Sequence, residues 1–257
     1  MGIRENRVKK IQEIVRKSTS ITIGHLAAEF NVSKMTIRRD LDHILSDPKI
    51  RLIRGMLIYS DVSNGDESKY SIISASTLNQ EAKERIALKA ASMLEPEDTI
   101  IIDAGSTTEL LARIIPKFLK LDITCFSLNI INEILKNEHS SITLPGGKYH
   151  SSSMVFQSRE AINLLEKTRV KKAFISAYGV NFRLGVTCSA DFERELKLTS
   201  LNSAEQRILL VDSSKFGKVN HVYFADLKDF DTIITDNLLP EETGQYIRSK
   251  GIKLFTV

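Results

Sequence analysis

Apolar residues fall at helical spacing from the first turns of the chain. Val8, Ile11, Ile14 and Val15 share one face with basic residues between them, which predicts a helix over residues 4–17. The polar stretch Ser18-Thr19-Ser20 breaks it. Leu26, Ala27 and Phe30 give a second, shorter apolar face over residues 23–29, and Asn31 suits a left-handed turn after it. Ser33 is a candidate N-cap for a third helix with the stripe Ile37, Leu41, Ile44 and Leu45. Lys34, Met35, Arg38 and Asp42 lie opposite that stripe, flanked by Thr36 and Arg39. After Asp47-Pro48, two β-prone runs at 50–53 and 56–59 predict a hairpin around Arg54-Gly55.

Residues 61–80 are rich in Ser, Asn and Gly and read as a linker. From Glu81 the pattern alternates. Ile86, Leu88, Ala91 and Leu94 suggest a helix. Strands are predicted at 99–103, 123–126, 142–144, 173–177, 208–211, 232–234 and 253–257. Helices are predicted between them at 106–118, 130–136, 161–167, 192–201 and 241–249. Such alternation implies a mainly parallel sheet with helices on both faces. The chain therefore reads as a small, mainly helical unit over 1–60, a linker over 61–80 and an α/β domain over 81–257.

Charge sharpens this division. Residues 1–60 hold 12 Lys/Arg against 6 Asp/Glu, whereas the remainder holds 24 against 26. A basic small unit on a near-neutral large one suits a polyanion partner, although a solvated basic surface gives the same count. Hydrophobic residues make up 42% of the 257, enough for a sizeable core. The two cysteines, Cys125 and Cys188, lack metal-ligand spacing, so neither a zinc site nor a disulfide framework is expected. The charged N-terminus lacks a signal-peptide apolar region, and no apolar run approaches the ~18 residues of a membrane span. A cytoplasmic protein with no membrane partner is the expectation.

Two short helices meeting through Phe30-Asn31-Val32-Ser33 suit a helix-turn-helix, with the charged N-terminal half of the second helix entering a major groove. An ordinary helical bundle with a basic face has the same periodicity. The ordered segment Val32-Ser33-Lys34-Met35-Thr36-Ile37-Arg38-Arg39-Asp40-Leu41 separates them. It resembles the recognition-helix signature of the DeoR family of bacterial repressors. The resemblance implies a winged helix-turn-helix that binds double-stranded operator DNA through Ser33, Lys34, Met35, Thr36, Arg38 and Arg39. Arg54 of the wing would join them, and Asp40 would brace an arginine. The family usually has paired glycines in the wing, where this chain has only Gly55.

In parallel sheets, ligands gather at the carboxyl ends of strands. There Asp103-Ala104-Gly105-Ser106-Thr107-Thr108 forms a strand end, a glycine turn and hydroxyls opening a helix, a pattern that suits a phosphate or a mere helix cap. Pro145-Gly146-Gly147-Lys148, with His150 nearby, and Asp212-Ser213-Ser214-Lys215-Phe216-Gly217 follow other strands. Each reads equally as a tight turn or as a ligand loop.

Together these loops resemble the sensor domain of the same family, which implies a fold like that of ribose-5-phosphate isomerase. The implied effector is a phosphorylated sugar, with deoxyribose 5-phosphate the best fit. The implied contacts are Asp103, Gly105, Ser106, Thr107, Thr108, Asn129, Gly146, Gly147, Lys148, His150, Gly179 and Lys215. The alternative is a sugar-phosphate isomerase of that fold. Such isomerases resemble one another in an Asp-Gly-Ala-Asp-Glu segment. This chain has Tyr178-Gly179-Val180-Asn181-Phe182 there, without the acids that general-base chemistry needs. Glu193 and Glu195 remain as possible bases. The expectation is a repressor, not an enzyme, without a cofactor or metal, working as a homo-oligomer that reads paired half-sites.

Overall fold

The computed structural model describes residues 3–18, 20–47, 49–53, 55–59 and 71–257. Arg54 lies outside the described residues. The N-terminal unit runs α1 (Ile3–Ser18), β1 (Ser20–Thr22), α2 (Ile23–Glu29), α3 (Lys34–Ile44), β2 (Ile50–Ile53) and β3 (Met56–Tyr59). Ile11, Val15, Leu26, Ile37, Ile44 and Leu57 close its core. Asn31 takes the left-handed conformation (φ 49°) in the turn between α2 and α3. Ser33 caps α3 by accepting the Thr36 N–H at 3.1 Å. The strands form an antiparallel sheet in the order β1-β3-β2. β1 replaces the break expected after α1. Three residues with one apolar side chain, Ile21, carry no readable alternation, so only pairing with β3 defines the strand.

Part of the expected linker is also structured. α4 (Ile72–Ser76) buries Ile72, whose N–H bonds to the Ser152 carbonyl at 2.9 Å. One turn of helix is too short for a periodic signal, and its partner lies eighty residues away in sequence.

The larger unit continues with α5 (Gln80–Ala91), β4 (Thr99–Ile102), α6 (Ser106–Ile114), β5 (Asp122–Cys125), α7 (Leu128–Ile134) and β6 (Ser141–Thr143). Then come β7 (Lys148–His150), β8 (Val155–Gln157), α8 (Arg159–Lys167), β9 (Val170–Ser176), β10 (Gly179–Asn181), β11 (Gly185–Cys188) and α9 (Asp191–Asn202). β12 (Ala204–Leu210), β13 (Val222–Ala225), β14 (Thr232–Thr235), α10 (Glu241–Ser249) and β15 (Lys253–Thr256) complete it. Seven strands pair in parallel in the order β15-β14-β12-β9-β4-β5-β6. Each strand predicted from sequence beyond residue 81 belongs to this sheet. In β4, Ile100 and Ile102 enter one core and Ile101 the other, which is why the strand reads as an unbroken apolar run.

Two details depart from the sequence reading. α5 buries Lys83, Ile86, Ala87 and Ala90 and leaves Leu88 60% exposed, so its inward face is rotated from the stripe expected through Leu88 and Ala91. α6 stops at Ile114 rather than near Phe118, because Pro116 forces Ile115 out of the helical region (ψ 125°).

Strand order fixes where a ligand can enter. From β4 the chain winds outward through β5 and β6, then returns to β9 on the other side of β4 and winds away through β12, β14 and β15. The reversal opens a crevice between the carboxyl ends of β4 and β9.

Candidate functional site

The loops above that crevice line one cavity. Ala104, Gly105, Ser106 and Thr107 follow β4, Ser176, Ala177 and Tyr178 follow β9, and Val211 and Lys215 follow β12. Its empty volume is about 460 Å³, open solvent at its mouth included.

Gly105 precedes the first turn of α6, where backbone N–H groups have no intrahelical acceptor. A Cβ at this position would sit 2.4 Å from Ser176 Oγ, so only glycine lets the turn pack against the end of β9. Ser106 and Thr107 face the cavity. Thr108 does not: it is fully buried and its hydroxyl donates back to the Gly105 carbonyl at 3.0 Å. Asp103 is also withdrawn beneath the loop. Its Oδ2 accepts the Ser176 N–H and hydroxyl at 2.9 Å and the Lys197 ammonium. Burial opposes the Lys197 charge, but Asp103 and Glu193 more than offset this and hold its pKa above the ordinary lysine value.

Two lysines converge on this end of the sheet. Lys215 is half-buried; burial pushes its pKa down, against the pull of Asp212. Lys83, almost fully buried on α5, donates to the Ala75 carbonyl. Burial, then repulsion from Lys215, pushes its pKa down to about 8, although Asp212 pulls the other way. Lys215 thus shares the cavity with the open N-terminus of α6, and Asp212 pulls on both lysines.

The remaining expected contacts sit apart from the cavity lining. Asn129 donates to the Gly105 carbonyl at 3.4 Å and to Glu109 at 3.1 Å, so it braces the turn from behind. Gly147 serves a backbone crossing, since a Cβ there would meet the Gln157 carbonyl at 2.5 Å, whereas Gly146 has open space around it and takes a left-handed turn (φ 74°). Lys148 is exposed on β7, and His150 is buried and stacked on Phe192 at 3.8 Å. Gly179 admits the Lys215 loop, since its Cβ would lie 2.4 Å from the Lys218 carbonyl. These departures share a cause. The loop after β6 leads into the β7–β8 hairpin, and β10, β11 and β13 form a separate antiparallel sheet. The sequence pattern predicts none of these strands.

Sequence reasoning passed over Lys83, Lys197, Ser153 and Ser189. A signal for the lysines was present. Lys83 shares a face with Ile86, Ala87 and Ala90, and Lys197 with Leu196, Ser200 and Leu201; a charge within an apolar stripe requires a buried partner or a ligand.

The N-terminal unit presents a separate charged face. Lys34, Met35, Arg38 and Arg39 are exposed on α3, and Thr36 is partly so. Lys34, Arg38 and Arg39 form no salt bridge with another described residue. Ser33 and Thr36 bond to each other at 2.9 Å, with the cap leaving Ser33 exposed. Buried Asp40 accepts Arg4 Nε at 2.8 Å and Arg7 Nε at 2.7 Å, so the arginines it braces belong to α1.

Among the described residues, no group of acidic, His or Cys side chains could hold a metal ion, and no helix is long and apolar enough to cross a membrane. Comparison with known proteins agrees with the two-part layout. The DeoR-like helix-turn-helix domain matches residues 7–61, and the DeoR C terminal sensor domain matches residues 78–237. The deoxyribose operon repressor of Escherichia coli K12 is 31% identical over 251 residues, 98% of each chain. The lactose phosphotransferase system repressor of Lactococcus lactis is 32% identical over 249 residues, covering 95% of this chain and 96% of its own. Among solved structures, ribose 5-phosphate isomerase A of Methanocaldococcus jannaschii aligns with TM-score 0.41 and 18% identity, over 54% of this chain and 55% of its own. The curated relatives are named as regulators and repressors, not enzymes. With both domain patterns matched in order and relatives aligned over nearly their whole length, the chain belongs to the DeoR family of transcriptional regulators.

Proposed function

We propose that this protein represses a sugar or nucleoside catabolic operon and leaves its operator when a phosphorylated sugar fills the cavity between β4 and β9. The reading rests on one observation above the rest: Lys215 lines the same cavity as the first turn of α6, with Lys83 close enough for the two charges to repel. A phosphate dianion relieves that repulsion and takes hydrogen bonds from the Ser106–Thr107 turn. The exposed Lys34, Arg38 and Arg39 face would contact DNA, with Arg54 of the wing as a further contact. A homo-oligomer would present two such faces to paired half-sites. Deoxyribose 5-phosphate is the favoured effector because the deoxyribose operon repressor is similar over nearly the entire chain.

Titration calorimetry tests the reading. The parent protein is expected to bind deoxyribose 5-phosphate far more tightly than deoxyribose. Lys215→Ala should lose about 1.5–3 kcal/mol, roughly ten- to a hundredfold. The same variant should still bind operator DNA yet no longer respond to the sugar phosphate. Equal affinity for phosphorylated and unphosphorylated sugar would overturn the assignment of the cavity.

A further inference from the structure

The cavity holds a second cluster of polar groups that the phosphate does not use. Glu193 lines it together with Ser153 and Ser189 and is only 5% exposed. Both serine hydroxyls donate to the same carboxylate oxygen, Oε1. The other oxygen, Oε2, receives only a long bond from the Ser189 N–H, at 3.4 Å. Four residues on, Lys197 points from the same face of α9 but is committed to Asp103 and Ser176. The carboxylate is thus held rigidly, with acceptor capacity left on Oε2.

This arrangement has a specific chemical preference. A carboxylate accepts hydrogen bonds and offers none, so it suits the neutral hydroxyls of a sugar. It repels a second anionic group, and in a buried site that repulsion is weakly screened. The cavity therefore has a cation at Lys215 and a carboxylate at Glu193, matching a molecule with one phosphate and a hydroxylated, uncharged remainder.

Building on the proposed function, we infer that Glu193 is the specificity residue of this cavity: it accepts sugar hydroxyls through Oε2 and rejects effectors that carry a second negative charge. The selected class is sugar monophosphates, against sugar bisphosphates and phosphorylated sugar acids. Ser153 and Ser189 are positioning residues that fix the carboxylate.

The test is calorimetric titration of the full-length chain with inorganic phosphate, deoxyribose 5-phosphate and phosphogluconate, in the parent, Glu193→Gln and Glu193→Asp. The parent is expected to prefer deoxyribose 5-phosphate to phosphogluconate by at least tenfold. Glu193→Gln should weaken deoxyribose 5-phosphate binding tenfold or more, keep inorganic phosphate within twofold and narrow the discrimination against phosphogluconate. Glu193→Asp retains the charge and should retain the rejection of phosphogluconate while binding the monophosphate less well, a split that a merely structural carboxylate would not produce. Unchanged monophosphate affinity in Glu193→Gln overturns the inference and leaves the proposed function standing. Equal losses for inorganic phosphate and deoxyribose 5-phosphate in both variants also overturn it. If the parent binds neither ligand, both readings fall.

Discussion

Val219, four residues beyond Lys215, is buried in one apolar cluster with Ile58 of the wing strand β3. Met56 and Leu184 complete that cluster. Between Lys215 and Val219 the loop is pinned by the Gly217 N–H, which donates to the Val180 carbonyl at 2.8 Å. Lys215 at the cavity and Val219 against β3 thus lie on one short segment, a contiguous physical link between the cavity and the N-terminal unit.

Replacing Val219 with Ala is expected to weaken that link without touching either ligand. Affinities for sugar phosphate alone and for operator alone should stay within a few-fold of the parent. The drop in operator affinity caused by deoxyribose 5-phosphate should shrink by about 0.5–2 kcal/mol. Fluorescence anisotropy on an operator duplex obtained by selection from random sequence, with and without effector, measures this. An unaltered effector response would show that coupling takes another route.

On the DNA side, Arg38→Glu and Asp40→Ala should fail differently. Arg38 is exposed and pairs with no described residue, so its reversal should abolish operator binding while leaving the melting curve almost unmoved. Neutralising Arg38 with Gln, a milder change, should lower the slope of log affinity against log salt by about 0.9 if it meets one phosphate. Asp40 is buried under Arg4 and Arg7, and removing it leaves the mostly buried Arg7 guanidinium unpaired between α1 and α3, while half-exposed Arg4 turns to water. A decrease of about 3 kcal/mol in stability is expected. Chemical denaturation together with salt-dependent binding separates the two. Matching stability losses would refute the assignment of Arg38 to DNA.

Effector affinity should depend on pH through Lys83. Its pKa of about 8 in the folded chain lies below the ordinary 10.5, so between these values the unfolded chain binds the extra proton. Stability should therefore rise with pH over that window. Phosphate binding works in the opposite direction. It favours the ammonium form, so affinity for deoxyribose 5-phosphate should fall as pH climbs through 8, with proton uptake visible as a buffer-dependent heat. The phosphate stays dianionic across this range, its second pKa being about 6. In Lys83→Met the pH dependence should flatten; persistence of the full slope would locate the titrating group elsewhere.

Gly105 offers a test of the turn itself. An added Cβ must displace Ser176, which holds Asp103, so Gly105→Ala is expected to cost about 1–3 kcal/mol and to weaken sugar-phosphate binding. Thermal melting and calorimetry read the two effects. The double variant Gly105→Ala with Ser176→Gly removes the clash and should recover part of the stability. Failure of that rescue would mean that the close approach to Ser176 is not what requires glycine.

The order of elements was written in the sequence because the signals that carry it are local. Ser33 before the Ile37–Ile44 stripe, Asn31 in the left-handed turn and the β-prone runs flanking Gly55 each depend on residues within a turn or two. The central strands announced themselves because a parallel strand covered on both faces must be apolar, as Ile100, Ile101 and Ile102 are, while the edge strands β6 and β15 are only partly buried. Gly105, Ser106, Thr107 and Lys215 were legible for the same reason: each follows such a strand. Tertiary structure alone decided the rest. Whether Lys148 and His150 meet the cavity depends on where a three-residue hairpin folds, and no local energy fixes that. Lys197 came to line the cavity only when the order β12-β9-β4 drew α9 to the crevice. Burial of a charge is a property of its neighbours in space, and those neighbours can lie far along the chain, as Asp103 does from Lys197 and Lys215 from Lys83.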